Sequence, residues 1–135
     1  MIVVDASVAI AWCLADESDE YAEQMLERVA NEGAAALGHW PVEVANGILS
    51  AERRGRLDAD EVGRVSRLLD QLAVEVVPVE LSTAMWSILP TARELKLSVY
   101  DAAYIDLAKF RRLALATLDE PMRDLAKRAG VELAS

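Results

Sequence analysis

Cysteine and histidine are almost missing: among 135 residues there is one of each, Cys13 and His39. A single cysteine excludes an intramolecular disulfide framework, and one Cys with one His cannot complete a four-ligand zinc site. The opening Met-Ile-Val-Val has no basic residue and runs at once into Asp5, a pattern unlike a signal peptide, so none is expected. No uncharged apolar run is long enough to cross a bilayer. These absences predict a soluble, cytoplasmic protein with no membrane partner. Positive charge is also short: 14 Lys and Arg stand against 23 Asp and Glu, a formal net charge of −9. Coating nucleic acid without sequence preference requires Lys and Arg to neutralise phosphates, so direct DNA binding by this chain is not expected. A local basic patch, a phosphate bridged by metal, or a cationic partner stays compatible with that charge.

Apolar residues make up 53% of the chain, enough for a contiguous core, and the length suits one domain over residues 1–135. No repeat, low-complexity tract or linker divides it. Residues 1–4 form a short β-branched run, and residues 6–15 (ASVAIAWCLA) are too long and alanine-rich for a strand and predict a mostly buried helix. An amphipathic stripe of Ala22, Met25, Leu26 and Val29 predicts a helix over 19–31, stopped by Gly33. Residues 34–37 are a second strand. Pro41 opens a helix that ends at Gly55, and Asp58 with Glu61 forms a capping-box pattern for the next, which closes an αα-hairpin. A strand over 74–79, a helix over 81–95 kinked near Pro90, and a helix over 98–113 follow. A strand over 114–118, a helix over 121–129 and a last strand over 131–133 complete the chain. This alternation predicts an α/β sandwich around a mainly parallel sheet.

In such sheets the reactive groups gather at the carboxyl ends of strands, where helices begin. Four acids fall at those junctions: Asp5, Glu43, Asp101 and Asp119. Four carboxylates on one rim repel one another without a cation, and ligands that are all oxygen suit Mg²⁺ or Mn²⁺. The competing explanation is capping, because acids are favoured in the first turn of any helix. Two details favour chemistry. Glu43 shares its helix face with Asn46, Gly47 and Ser50, a small and polar face that leaves room for water, an ion or a phosphate. Asp101 aligns in the same way with Tyr104, Ile105 and Ala108. Asp106 lies roughly 140° around that helix and reads as a solvated residue, not a ligand.

Basic residues cluster at Arg53, Arg54 and Arg56, at Lys109, Arg111 and Arg112, and at Arg123, Lys127 and Arg128. Each reads first as a solvated helix end and second as a phosphate contact, with the hairpin turn at Arg53–Arg56 the first candidate for RNA. Trp12, Trp40 and Trp86 read as packing residues before base-stacking ones. His39 reads as structural and Cys13 as a small core residue. Surplus apolar positions on the hairpin, such as Val44, Leu49 and Val65, suit a partner surface. Other phosphate-handling folds lack their parts here: there is no G-x-G-x-x-G, no G-x-x-x-x-G-K-[ST], and no Asp-x-Asp after the first strand. A receiver domain would want an Asp after a mid-chain strand and a Lys after a late one, and neither is in place.

The blocks Ile2-Val3-Val4-Asp5-Ala6-Ser7, Glu43-Val44-Ala45-Asn46, Val99-Tyr100-Asp101-Ala102-Ala103-Tyr104 and Leu115-Ala116-Thr117-Leu118-Asp119 resemble, in order and spacing, those of the PIN-domain nucleases. Within that family they are similar to the VapC toxins of toxin–antitoxin pairs. The resemblance covers essentially the whole chain. It implies a three-layer α/β/α sandwich on a parallel sheet. It also implies a metal-binding acidic cluster of Asp5, Glu43, Asp101 and Asp119, with Ser7, Asn46 and Thr117 as supporting polar groups. The activity implied is Mg²⁺-dependent endonucleolytic cleavage of RNA, with Mn²⁺ as a substitute. The partners implied are a small VapB-like antitoxin and a second copy in a homodimer. A PIN-like module that binds RNA or an antitoxin without cleaving is the alternative. Ionised, the four acids supply −4 of the net −9, so acidity concentrated at a metal site is compatible with phosphate chemistry.

Overall fold

The structure is a computed structural model and describes residues 1–17 and 19–135. Four short strands, β1 (Ile2–Val4), β2 (Ala34–Leu37), β3 (Val74–Val77) and β4 (Leu115–Ala116), pair in the order β3-β2-β1-β4. All three pairings are parallel. Every residue of β1, β2 and β4 is buried. Successive side chains of a strand point to opposite faces, so burial without alternation means that helices cover both sides of the central sheet. The expected three-layer α/β sandwich is what the chain forms.

The helices are α1 (Ala6–Cys13), α2 (Glu20–Glu32), α3 (Trp40–Arg53), α4 (Ala59–Gln71), α5 (Leu81–Thr83), α6 (Leu89–Leu95), α7 (Val99–Arg111) and α8 (Glu120–Arg128). Asp19 caps α2 through the Ala22 amide, and Gly33, at φ 78°, ends it in a conformation that a side chain would resist. The capping box is formed as expected: Asp58 accepts from the Glu61 amide at 2.8 Å and Glu61 from the Asp58 amide at 3.2 Å. The helix predicted over 6–15 stops at Cys13, and Ala15–Glu17 tightens into a 3₁₀ turn. The kink expected near Pro90 takes the form of a π turn over Ala84–Ile88. Pro90 has no amide to give the preceding turn, and a widened turn accommodates that loss. The strand expected over 131–133 does not form. Val131 is buried, yet the segment contributes a single bridge, Leu133 beside Leu115.

The order β3-β2-β1-β4 decides where a site can be built. From β1 the chain moves outward to β2 and β3, then returns to place β4 on the other side of β1. Connections therefore leave β1 and β4 in opposite directions and open a crevice at their carboxyl ends. Asp5 follows β1 directly, and Thr117 to Asp119 follow β4.

Candidate metal centre

A cleft of about 330 Å³ occupies that crevice, and all four predicted acids line it: Asp5, Glu43, Asp101 and Asp119. Ser7, Asn46, Gly47, Ile10 and Tyr104 share its walls. Thr117 lies beneath, fully buried, and reaches the cleft through Asp5 and the Asp119 amide.

Asp5 is the innermost acid, 6% exposed. One of its oxygens, Oδ1, accepts from the Ser7 hydroxyl at 2.6 Å and from the Val8 amide at 3.3 Å. The other, Oδ2, accepts from the Thr117 hydroxyl. Both hydroxyls are fixed in turn, because Ser7 Oγ accepts from the Leu118 amide at 3.0 Å and Thr117 Oγ1 from the Asp119 amide at 3.1 Å. The Trp40 indole donates to the Asp5 carbonyl at 3.2 Å and ties α3 to the end of β1. Burial pushes the Asp5 carboxyl up to about 6, against the pull of its hydrogen bonds. Asp101 is raised as well, first by burial and then by the charge of Asp119. Carboxylates whose charge is opposed by desolvation and by one another are the donor set that a hard divalent cation relieves. Among the described residues, no three His, Cys, Asp or Glu side chains form a ready-made cage for one ion. The donors fit such an ion by chemistry and by their place around one cleft.

Capping accounts for half of the four acids. Asp5 caps α1 and Asp119 caps α8, the latter accepting from the Met122 amide at 3.0 Å. Glu43 and Asp101 cap nothing: α7 is capped by Ser98, whose hydroxyl accepts from the Asp101 amide at 3.1 Å, and α3 has no side-chain cap. Glu43 is held from across the cleft instead. The Tyr104 hydroxyl donates to its Oε1 at 2.6 Å, and His39 Nε2 lies 3.3 Å from the same oxygen. These two residues extend the sequence reading, in which Tyr104 stood only as a helix-face neighbour of Asp101 and His39 as structural.

The polar face of α3 also needs correcting. Gly47 does not leave open space, because a Cβ there would lie 2.3 Å from Cδ1 of Ile10 on α1. Its smallness lets α1 and α3 approach. Asp106 stands apart from the cleft, as expected, but is more than solvated. It accepts from the Ser87 hydroxyl at 2.9 Å and the Thr91 hydroxyl at 3.3 Å, which pins α7 to the π turn and α6. From the basic clusters, Arg123 reaches the residues behind the cleft. Its guanidinium donates to the Thr117 carbonyl at 2.8 Å and lies 4.7 Å from the Tyr21 ring centre. Arg56 and Arg111 pair with Asp16 and Glu75.

The PIN domain family model matches residues 2–128. The chain is 36% identical over 129 residues to VapC ribonuclease Mb0985 of Mycobacterium bovis, covering 92% of this chain and 90% of that protein. Among solved structures it resembles PAE2754 from Pyrobaculum aerophilum, with a TM-score of 0.69 and 22% identity over 96% of this chain and 88% of the other. It also resembles a chain of a toxin–antitoxin complex from Klebsiella pneumoniae, with a TM-score of 0.60 and 17% identity over 88% and 87% of the two chains. The structural likenesses speak for the fold, and the 36% identity along nearly the full length reaches further. On these grounds the chain belongs to the PIN-domain family, among its VapC members.

Proposed function

We propose that this chain is a toxin endoribonuclease that cleaves RNA phosphodiester bonds at a divalent-metal centre in the β1/β4 crevice. The observation that carries this reading is the convergence of Asp5, Glu43, Asp101 and Asp119 on one cleft from four separate stretches of sequence. Asp5 and Asp101 are the direct holders of Mg²⁺, or of Mn²⁺ in its place, and Glu43 and Asp119 complete the set. When bound, such an ion supplies an activated water and neutralises charge at the scissile phosphate. The chain's part is to keep that set charged and oriented. Ser7 and Thr117 hold the two oxygens of Asp5, and Tyr104 holds Glu43. Asn46, exposed on the cleft wall, offers an amide to a phosphate or sugar oxygen.

The name of the M. bovis relative supports RNA as substrate, and the toxin–antitoxin title of the Klebsiella structure supports a small inhibiting protein as partner. The groove between α3 and α4, about 470 Å³ and walled by Val44, Ile48, Leu49, Val62, Val65 and Leu69, offers that partner an apolar seat. Pairing with a second copy is supported by Leu81, Trp86 and Phe110, which are 78%, 85% and 86% exposed. No helix of the described residues is long and apolar enough to cross a membrane.

The test is an RNase assay on the full chain with Mg²⁺ or Mn²⁺. Cleavage is expected to vanish with chelator and return on adding back the ion. Asp5→Asn and Asp101→Asn are each expected to lower the rate at least 100-fold, the scale of losing a transition-state electrostatic group. Full metal-dependent activity in either variant overturns the site assignment. RNA binding without cleavage in the unsubstituted chain would favour a binding module instead.

A further inference from the structure

The contacts around Glu43 single out one of its two oxygens. Oε1 receives the Tyr104 hydroxyl at 2.6 Å and faces His39 Nε2 at 3.3 Å, and no hydrogen bond is formed by Oε2 among the described residues. His39 Nε2 is also 3.3 Å from the Tyr100 carbonyl, so two acceptors flank that nitrogen and it carries the proton. Tyr104 has little freedom. Its side chain is 1% exposed, and its ring meets the His39 ring edge-on with centres 5.2 Å apart. A phenol beside a carboxylate is the partner with a proton to give, so Tyr104 donates and Glu43 accepts.

We propose that Tyr104 is a positioning residue for the metal centre: its buried hydroxyl fixes Oε1 of Glu43 so that Oε2 alone is presented to the ion. The proposal rests on the metal-centre reading above. Its physical logic concerns charge. Glu43 sits on α3 among like charges from Asp5 and Asp101, and the contact from the start of its own helix, His39 Nε2, lies 3.3 Å from Oε1, longer than the 2.6 Å bond from Tyr104. A Lys or Arg donor could hold it but would cancel the charge a cation needs. A phenol holds it and leaves the charge intact. Tyr104 lies three residues after Asp101 on the same face of α7. One turn of one helix therefore carries an acid of the cleft and the donor that fixes the acid opposite. Groups that orient metal ligands from behind are commonly worth 10–100-fold in metal affinity or activity.

The experiment measures Mn²⁺ binding to the full chain without RNA, by the electron paramagnetic resonance signal of free Mn²⁺. Tyr104→Phe is expected to weaken binding about tenfold, within the range for such groups. Glu43→Gln is expected to weaken it at least as much, and Tyr104→Phe should add nothing in the Glu43→Gln background. Activity of Tyr104→Phe should recover at high Mn²⁺, which a general packing defect would not allow. Unchanged Mn²⁺ affinity in Tyr104→Phe, or an undiminished effect of that change in the Glu43→Gln background, overturns the proposal. If the unsubstituted chain and Asp5→Asn bind Mn²⁺ alike, the metal-centre reading itself has failed, and the proposal with it. Should Tyr104→Phe not fold, 3-fluorotyrosine labelling of the unsubstituted chain reads the same contact. The Tyr104 fluorine resonance, assigned with Tyr21→Phe and Tyr100→Phe, is expected to move on Mg²⁺ addition, and a fixed resonance overturns the proposal.

Discussion

At the scale of a residue, Asp5 is costly to the fold and useful to the site for the same reason. Its carboxyl is buried and pushed up from 3.8 to about 6, so the folded chain binds a proton there more tightly than the unfolded chain does. Linkage then makes stability fall as pH rises between those two values, and above about 6 the whole cost stands. A displacement of that size corresponds to about 3 kcal/mol. Exposed acids such as Glu32, held down to about 2 by Arg28 and the N-terminal amine, act in the opposite sense at low pH, so the total curve mixes both effects. Comparison with Asp5→Asn isolates the one group. In metal-free buffer the variant is expected to be more stable than the unsubstituted chain at pH 7.5, by on the order of 2–3 kcal/mol. The gap should close as pH falls toward 4. Denaturant unfolding across that range measures it, and a gap that ignores pH would show that burial of this charge is not the cause. Millimolar Mg²⁺ should stabilise the unsubstituted chain at pH 7.5 and leave the variant nearly unmoved.

Elements set how close those residues come. α1 carries Ser7 and Ile10, α3 carries Glu43 and Gly47, and the two helices touch where Gly47 meets Ile10. An alanine at 47 would gain about 1 kcal/mol of helix propensity. It would also force its Cβ to 2.3 Å from Ile10 Cδ1 and 2.8 Å from Cγ1, and overpacking of that kind costs about 1–3 kcal/mol. Gly47→Ala is therefore expected to lower the melting temperature by a few degrees. In an Ile10→Ala background the same change should raise it, since the clash is gone and the propensity gain remains. Additive melting shifts in the double variant would refute the contact. This helix pair marks the boundary of what the sequence discloses. The four acids were legible because a β-branched run, an abrupt carboxylate and a helix start are all local. Gly47 as an approach point was not, because its meaning depends on Ile10, and nothing in a helix face says which residue will be opposite. Tyr104 stayed hidden for the same cause, because its bond to Glu43 needs α3 and α7 to meet, although the spacing from Asp101 to Tyr104 was a usable hint. His39 was within reach of local reading, since it stands four residues before Glu43, one turn away at the start of α3. The failed strand at 131–133 is the converse case, a locally apolar segment that secured a single bridge at the sheet edge.

For the whole molecule, two properties pull against each other: a net charge of −9 and several large apolar side chains left exposed. Leu81, Met85 and Trp86 stand out from α5 and the π turn, and Phe110 from the end of α7. A groove lined by Thr83, Ser87, Leu107 and Phe110 runs between these elements. Burying each large side chain is worth roughly 1.5–3 kcal/mol, enough for three or four of them to drive association of two copies through the same patch. Bringing together two chains of −9 opposes that gain by long-range repulsion, which salt screens within a distance of about 10 Å at 0.1 M. Association through an apolar patch should therefore tighten as salt rises from 50 to 500 mM, whereas a pairing built on ion pairs would loosen. Sedimentation at both salt concentrations is expected to show a dimer that strengthens with salt. Trp86→Glu should raise the dissociation constant at least tenfold, because it removes the most solvent-facing tryptophan and adds a like charge among the exposed apolar side chains. A monomer at both salts, or a dimer indifferent to Trp86→Glu, rules out this face as the pairing surface. The acidic cleft lies at the carboxyl ends of β1 and β4, and its lining shares no residue with this groove, so Mn²⁺ affinity of Trp86→Glu measured per chain should match that of the unsubstituted protein.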